Sequence, residues 1–183
     1  LNDVRALEMM LEEGRFETGV RRIGAEQEMF LVDKGLQAAP IVMQLLEQVD
    51  DPRLTTELAR YNIEANLDPQ IFGGDCLRRM EAELNDVVDT VRQGAQALDS
   101  DVLLCGILPT LRRSDLNIDS MTPKQRYYEL NRVMRKLRGD EFKVRIKGID
   151  EFSLSHDSVM LEAANTSLQI HFQVSPEEFA PFY

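Results

Sequence analysis

The chain has 183 residues, a length that suits one domain with a real core. Its hydrophobic share of 43% is ordinary for a globular protein, and the net charge of −11 argues against a nucleic-acid or anionic-membrane surface, since both need clustered positive charge. No apolar run approaches the roughly 18 residues of a membrane span.

The opening residues, LNDVRALEMMLEEG, alternate acidic and apolar groups and lack the basic-then-apolar layout of a signal peptide. Asn2 or Asp3 caps a predicted helix to about Arg15, with Val4, Leu7 and Leu11 on one side. The two cysteines, Cys76 and Cys105, lie far apart and without metal-ligand spacing, and read as reduced core thiols of a cytoplasmic protein. The chain starts at Leu1 rather than Met and stops at Pro181-Phe182-Tyr183 as a helix begins, which reads as a piece of a longer protein.

Residues Arg21–Asp33, RRIGAEQEMFLVD, read as a strand from Ile23, Phe30, Leu31 and Val32 and the absence of proline. Strand residues two apart point the same way, so Glu26 and Glu28 share a face about 7 Å apart. Like charges side by side on a sheet repel. A magnesium site would cancel that repulsion with carboxylate oxygens; an edge strand with a solvated outer face would tolerate it. Both readings stand at this point.

After a turn at Lys34-Gly35, Pro40 opens a short amphipathic helix, IVMQLLEQV, closed by Asp50-Asp51-Pro52. In Arg60–Gln70, RYNIEANLDPQ, the polar residues Asn62, Glu64 and Asn66 alternate with Tyr61, Ile63, Ala65 and Leu67. That pattern fits a strand lining a site and fits a solvated sheet face equally well. Asp75 then caps a long helix to about Leu98, whose stripe of Leu77, Met80, Leu84, Val87, Val88, Val91 and Leu98 is core.

Val102–Leu108 is a predicted strand ending at Pro109. In the following loop, Arg112-Arg113 match phosphate oxygens in fork geometry, although adjacent loop arginines more often sit in water. Thr122-Pro123 starts a helix to about Arg138 with Tyr127, Leu130, Met134 and Leu137 inward, and its basic residues Arg132, Arg135, Lys136 and Arg138 suit a helix C-terminus. Phe142–Lys147 and EFSLS form a hairpin through Gly148, with His156-Asp157 after it. The last strand, Asn165–Val174, places Ser167, Gln169, His171 and Gln173 on one face and Leu168, Ile170, Phe172 and Val174 on the other, before a helix begins at Ser175-Pro176.

Three strands thus present polar rows opposite apolar ones. The expected architecture is α+β: a mostly antiparallel sheet with helices packed on one face and a polar concave face on the other.

Four stretches, GAEQEMFLVD (24–33), TELARYNIEANLDPQ (56–70), LPT with RYYEL (108–110 and 126–130) and NTSLQIHFQVSPEEF (165–179), carry a resemblance to the glutamate–cysteine ligase family, in its bacterial and plant-like carboxylate–amine ligase branch related to glutamine synthetase. The resemblance implies an ATP-dependent ligase in which a substrate carboxylate is phosphorylated to an acyl phosphate and then attacked by an amine. Magnesium ions would screen the charges, with ATP as a substrate. By residue, Glu26, Glu28 and Glu64 match the family's metal-binding carboxylates, and His171 matches a position that is histidine in some branches and asparagine in others. Asn62, Asn66 and Gln169, on the same face, are assigned to substrate positioning. Family members run to roughly twice this length, so residues 1–183 are expected to be one domain, the N-terminal portion of a longer catalytic domain, inactive alone. Its expected partners are small molecules, an amino acid and ATP, with a homo-oligomer left open. The competing reading is a non-catalytic metabolite-binding or protein-interaction domain that keeps the ligase fold.

Overall fold

The computed structural model describes residues 2–139 and 142–183. In chain order these form helix α1 (Asn2–Glu12), strand β1 (Arg22–Asp33), α2 (Val42–Gln48), β2 (Leu54–Thr56), β3 (Asn62–Asn66), β4 (Gln70–Ile71), α3 (Cys76–Ala97), β5 (Ser100–Leu103), α4 (Gln125–Arg138), β6 (Phe142–Lys147), β7 (Glu151–His156), β8 (Leu168–Phe172) and α5 (Pro176–Phe182), with short 3-10 turns at Arg113–Leu116, Ile118–Ser120 and Val159–Ala164. No helix among the described residues is long and apolar enough to cross a membrane.

Strand β1 is the centre of a six-stranded, wholly antiparallel sheet, not an edge. Along one side it pairs with β3 (Glu28 opposite Glu64) and β4; along the other it pairs with β8 (Glu26 opposite Gln169) and β5. Strand β2 extends the sheet beyond β3. The strands β6 and β7 form a separate two-stranded hairpin.

The alternation of β1 assigns its side chains to two cores. Ile23, Ala25, Met29 and Leu31 join α2, α3 and the apolar side of β3 in one cluster. Phe30 and Val32, on the opposite face, join Tyr61, Leu108, Leu116, Met121, Tyr127 and Met160 in a second. The run Phe30-Leu31-Val32 is fully buried because both faces of the sheet are covered there. At the Glu26–Glu28 end only the α2/α3 face is covered. The other stays open, and the layer carrying α4 walls it at one end. The α+β class and the polar face therefore stand as the alternation implied, with the addition that helical structure covers part of both faces.

Several local expectations are revised. Helix α1 buries none of its residues, so Val4, Leu7 and Leu11 have no core to face. On α3, Leu77 is exposed, and Asp75 sits at the N-cap position without a capping bond, pairing instead with Arg79. Strand β5 starts at Ser100 and ends at Leu103, two residues earlier and five residues earlier than the apolar run 102–108, because only Asp33–Phe30 of β1 is free to pair there. On α4 only Tyr127 is buried; Leu130 and Leu137 are exposed. His156 is the buried last residue of β7, its Nδ1 beside Ser158, and does not lie in a loop. Leu168, Ile170 and Phe172 do lie on the α3 side of the sheet, opposite Gln27, Ala25 and Ile23, yet remain exposed because the described helices stop short of them.

Candidate functional site

Antiparallel registry decides which side chains meet, since directly opposed residues share a face. Glu28 lies opposite Glu64, and Glu26 lies between Asn66 on β3 and Gln169 on β8. His171 lies opposite Gly24, which has no side chain, and its Nε2 comes within 3.5 Å of Glu26 Oε2. Glu26, Glu28, Glu64, Asn66, Gln169 and His171 therefore occupy one continuous face across three adjacent strands.

Hydrogen bonds fix these groups unequally. Glu28 Oε2 accepts from the Ser167 backbone N–H at 2.9 Å and from Ser167 Oγ at 3.2 Å, while its Oε1 accepts from Gln169 Nε2 at 3.3 Å. The Glu28 carboxylate thus holds the entry of β8 against β1. Glu64 Oε1 accepts from Asn66 Nδ2 at 2.9 Å. Burial pushes the Glu64 carboxyl above its ordinary range, and the neighbouring carboxylates Glu26 and Glu28 push it further, against the opposing effect of Asn66 and Arg126. Unresolved repulsion on a sheet face is the condition a hard cation relieves.

The comparison with family models decides the lineage, matching "Glutamate-cysteine ligase family 2(GCS2)" over residues 22–180. The chain belongs to glutamate-cysteine ligase family 2. No curated protein and no solved structure matches it. The matched region begins at the first residue of β1 and leaves out α1, in agreement with the absence of buried residues in that helix.

In this member of glutamate-cysteine ligase family 2, Asn62 stands apart from the other predicted residues. It shares their face, opposite Phe30, but is 1% exposed, and neither atom of its amide has a hydrogen-bond partner. An unpaired buried amide costs about 1–3 kcal/mol. It lies at the covered end of that face, opposite Phe30 of the second core, rather than in the open groove.

Two residues join the site that strand alternation could not have found. Glu57 follows directly on β2, and burial raises its carboxyl above the ordinary range, aided by the charges of Glu64 and Glu28. Arg126, in the first turn of α4, is the cation that opposes this repulsion at both Glu57 and Glu64. Its Nη2 donates to Tyr127 Oη at 2.5 Å, and Tyr127 Oη in turn donates to the Thr56 carbonyl at 2.8 Å, which ties the base of α4 to the end of β2. The signal was present for Arg126. A cation in a helix's first turn opposes the macrodipole, unlike the basic residues of the last turn, and so calls for another partner.

The donor set suits magnesium in type, being carboxylate oxygens with one imidazole. Its arrangement is open: among the described residues no three His, Cys, Asp or Glu side chains form a group that could hold a metal ion. The carboxylates share a face without closing a cage.

Proposed function

We propose that the open acidic face is the active-site floor of an ATP-dependent carboxylate–amine ligase of the glutamate–cysteine type. The reading is supported chiefly by the gathering of Glu26, Glu28 and Glu64 on one uncovered face of β1 and β3, in a chain of this family. Glu26, Glu28, Glu64 and His171 form no closed metal group by themselves. They would hold magnesium only as part of a shell completed by oxygens of the nucleotide and substrate, where the ion would screen the triphosphate and the substrate carboxylate. Asn66 and Gln169 supply amide donors and acceptors beside those carboxylates and would orient the amino acid. Arg126 offers a guanidinium at the wall of the face, suited to an anionic group of substrate or nucleotide. The γ-phosphoryl group of ATP passes to the substrate's own carboxylate with release of ADP, so the protein need supply no nucleophile. The amine then attacks the acyl carbon of the acyl phosphate, forming the amide and expelling inorganic phosphate.

Magnesium titration by calorimetry, with and without ATP, tests this. Glu26→Gln or Glu64→Gln should weaken magnesium-dependent ATP binding by at least tenfold. Unaltered binding in both variants, or no magnesium dependence, overturns the reading. The non-catalytic alternative draws on a specific observation, the engagement of Glu28 by Ser167 and Gln169 within the fold. It predicts nucleotide binding with no ADP release in the presence of glutamate and cysteine.

A further inference from the structure

Helix α4, the β6–β7 hairpin and the turns flanking Leu111 and Leu161 line a half-open cavity of about 860 Å³. Ligand sites commonly fall between about 300 and 1,000 Å³. Its walls are apolar: Leu130 and Met134 of α4, Val144 and Leu154 of the hairpin, Leu111 and Leu161. Of the apolar stripe of α4, which by its spacing should pack into the core, Tyr127 does so, while Leu130 and Met134 face this space. Four cations also line it, Arg112, Arg113, Arg138 and Lys143, against a single acid, Glu162. All four are exposed, which places them at the rim. Arg113 donates to the Ser155 carbonyl at 3.3 Å; none of the four has a salt bridge among the described residues.

This local charge is opposite to that of the molecule. Residues 112–147 hold 11 of the 21 Lys and Arg residues but only five of the 32 acidic ones, in a chain of net charge −11. Four cations offset by a single acid make this apolar lining locally positive. An anion with an apolar body satisfies both features: guanidinium forks match a carboxylate, and an apolar lining takes up a hydrocarbon.

We propose that this cavity binds a small amphipathic carboxylate of the long-chain fatty-acid type, its chain against Leu130, Met134, Val144 and Leu154 and its carboxylate at Arg112 and Arg113. The site is separate from the acidic face and independent of the ligase reading.

The probe is dodecanoate, kept below its micelle concentration and titrated calorimetrically into the full chain. Saturable one-to-one binding is expected, with dodecyltrimethylammonium and dodecyl maltoside each at least tenfold weaker. Arg112→Ala with Arg113→Ala should weaken dodecanoate at least fivefold and bring the three ligands closer in affinity. Met134→Trp, which fills the chamber, should abolish binding of all three; the arginine pair, lying on the exposed rim, serves as the test should that variant not fold. Equal affinity for anion and cation overturns the proposal, as does dodecanoate binding unchanged in the arginine variant. Displacement of dodecanoate by ATP would assign the cations to the nucleotide. A dimer that excludes dodecanoate would assign the cavity to a second copy of the chain. Either result overturns the proposal.

Discussion

Glu64 carries the repulsion of the acidic face in its own energetics. Its carboxyl is raised by burial first and by Glu26 and Glu28 next, so the folded state binds this proton more tightly than the unfolded state does. The sign follows from linkage: the stabilisation is complete below the unfolded value near 4.5 and is lost as pH rises through the folded one. At neutral pH the charged group strains the fold. Glu64→Gln keeps the acceptor for Asn66 and removes the charge, and should raise the melting temperature at pH 7 by about 2–4 °C, corresponding to about 1 kcal/mol. The gain over wild type should shrink to nothing near pH 4, as followed by scanning calorimetry at both pH values. A variant no more stable than wild type at pH 7 would show that the repulsion is not felt. The pair Glu26 and Glu28 was legible from spacing alone, because a period of two puts both on one face. Glu57 was not: it follows a three-residue strand, too short for any alternation, and only the folding of β2 onto β3 brings it near Glu64.

Elements were legible where their pattern served burial and obscure where it did not. Strand β3 and the stripe on α3, Leu77 apart, appear as their periodicity predicts, because both are buried against β1. Helices α1 and α4 show the same amphipathic period, yet α1 has nothing beneath it, and of the α4 stripe only Tyr127 reaches the core while Leu130 and Met134 face a cavity. Periodicity reports which face is apolar, and only tertiary structure reports whether that face is covered. A second packing feature was invisible in sequence. Gly94, buried on α3, lies where α2 crosses it, and a Cβ there would collide with Val49 Cγ2 and Leu45 Cδ1. Alanine would favour the helix by about 1 kcal/mol, but overpacking a tight contact costs about 1–3 kcal/mol. Gly94→Ala should therefore lower stability by about 1 kcal/mol in urea unfolding, with the slope unchanged. Adding Leu45→Val, which shortens one of the colliding side chains, should cost less in the Gly94→Ala background than in wild type. Additive losses would mean that the two helices do not meet through this glycine.

At the scale of the whole molecule, β1 joins both cores. Its residues Met29 and Leu31 enter one core and Phe30 and Val32 the other, while its two edges carry β3, β4, β5 and β8. Neither core can persist once this strand leaves, so the two faces should unfold together rather than as separate units. Hydrogen exchange measures this directly: the amides of residues 29–32 should open only with global unfolding and be the slowest in the chain. Helix α1 should behave oppositely. It has 11 residues, none buried, and a helix of that length without tertiary support is marginal in water. Its amides should exchange at nearly unprotected rates, and deletion of residues 1–15 should move the melting temperature by less than about 1 °C, because Glu17, which pairs with Arg22 at the start of β1, is retained. Slow exchange in α1, or two separable transitions monitored from the two cores, would show instead that the strand does not hold the molecule together as one cooperative unit.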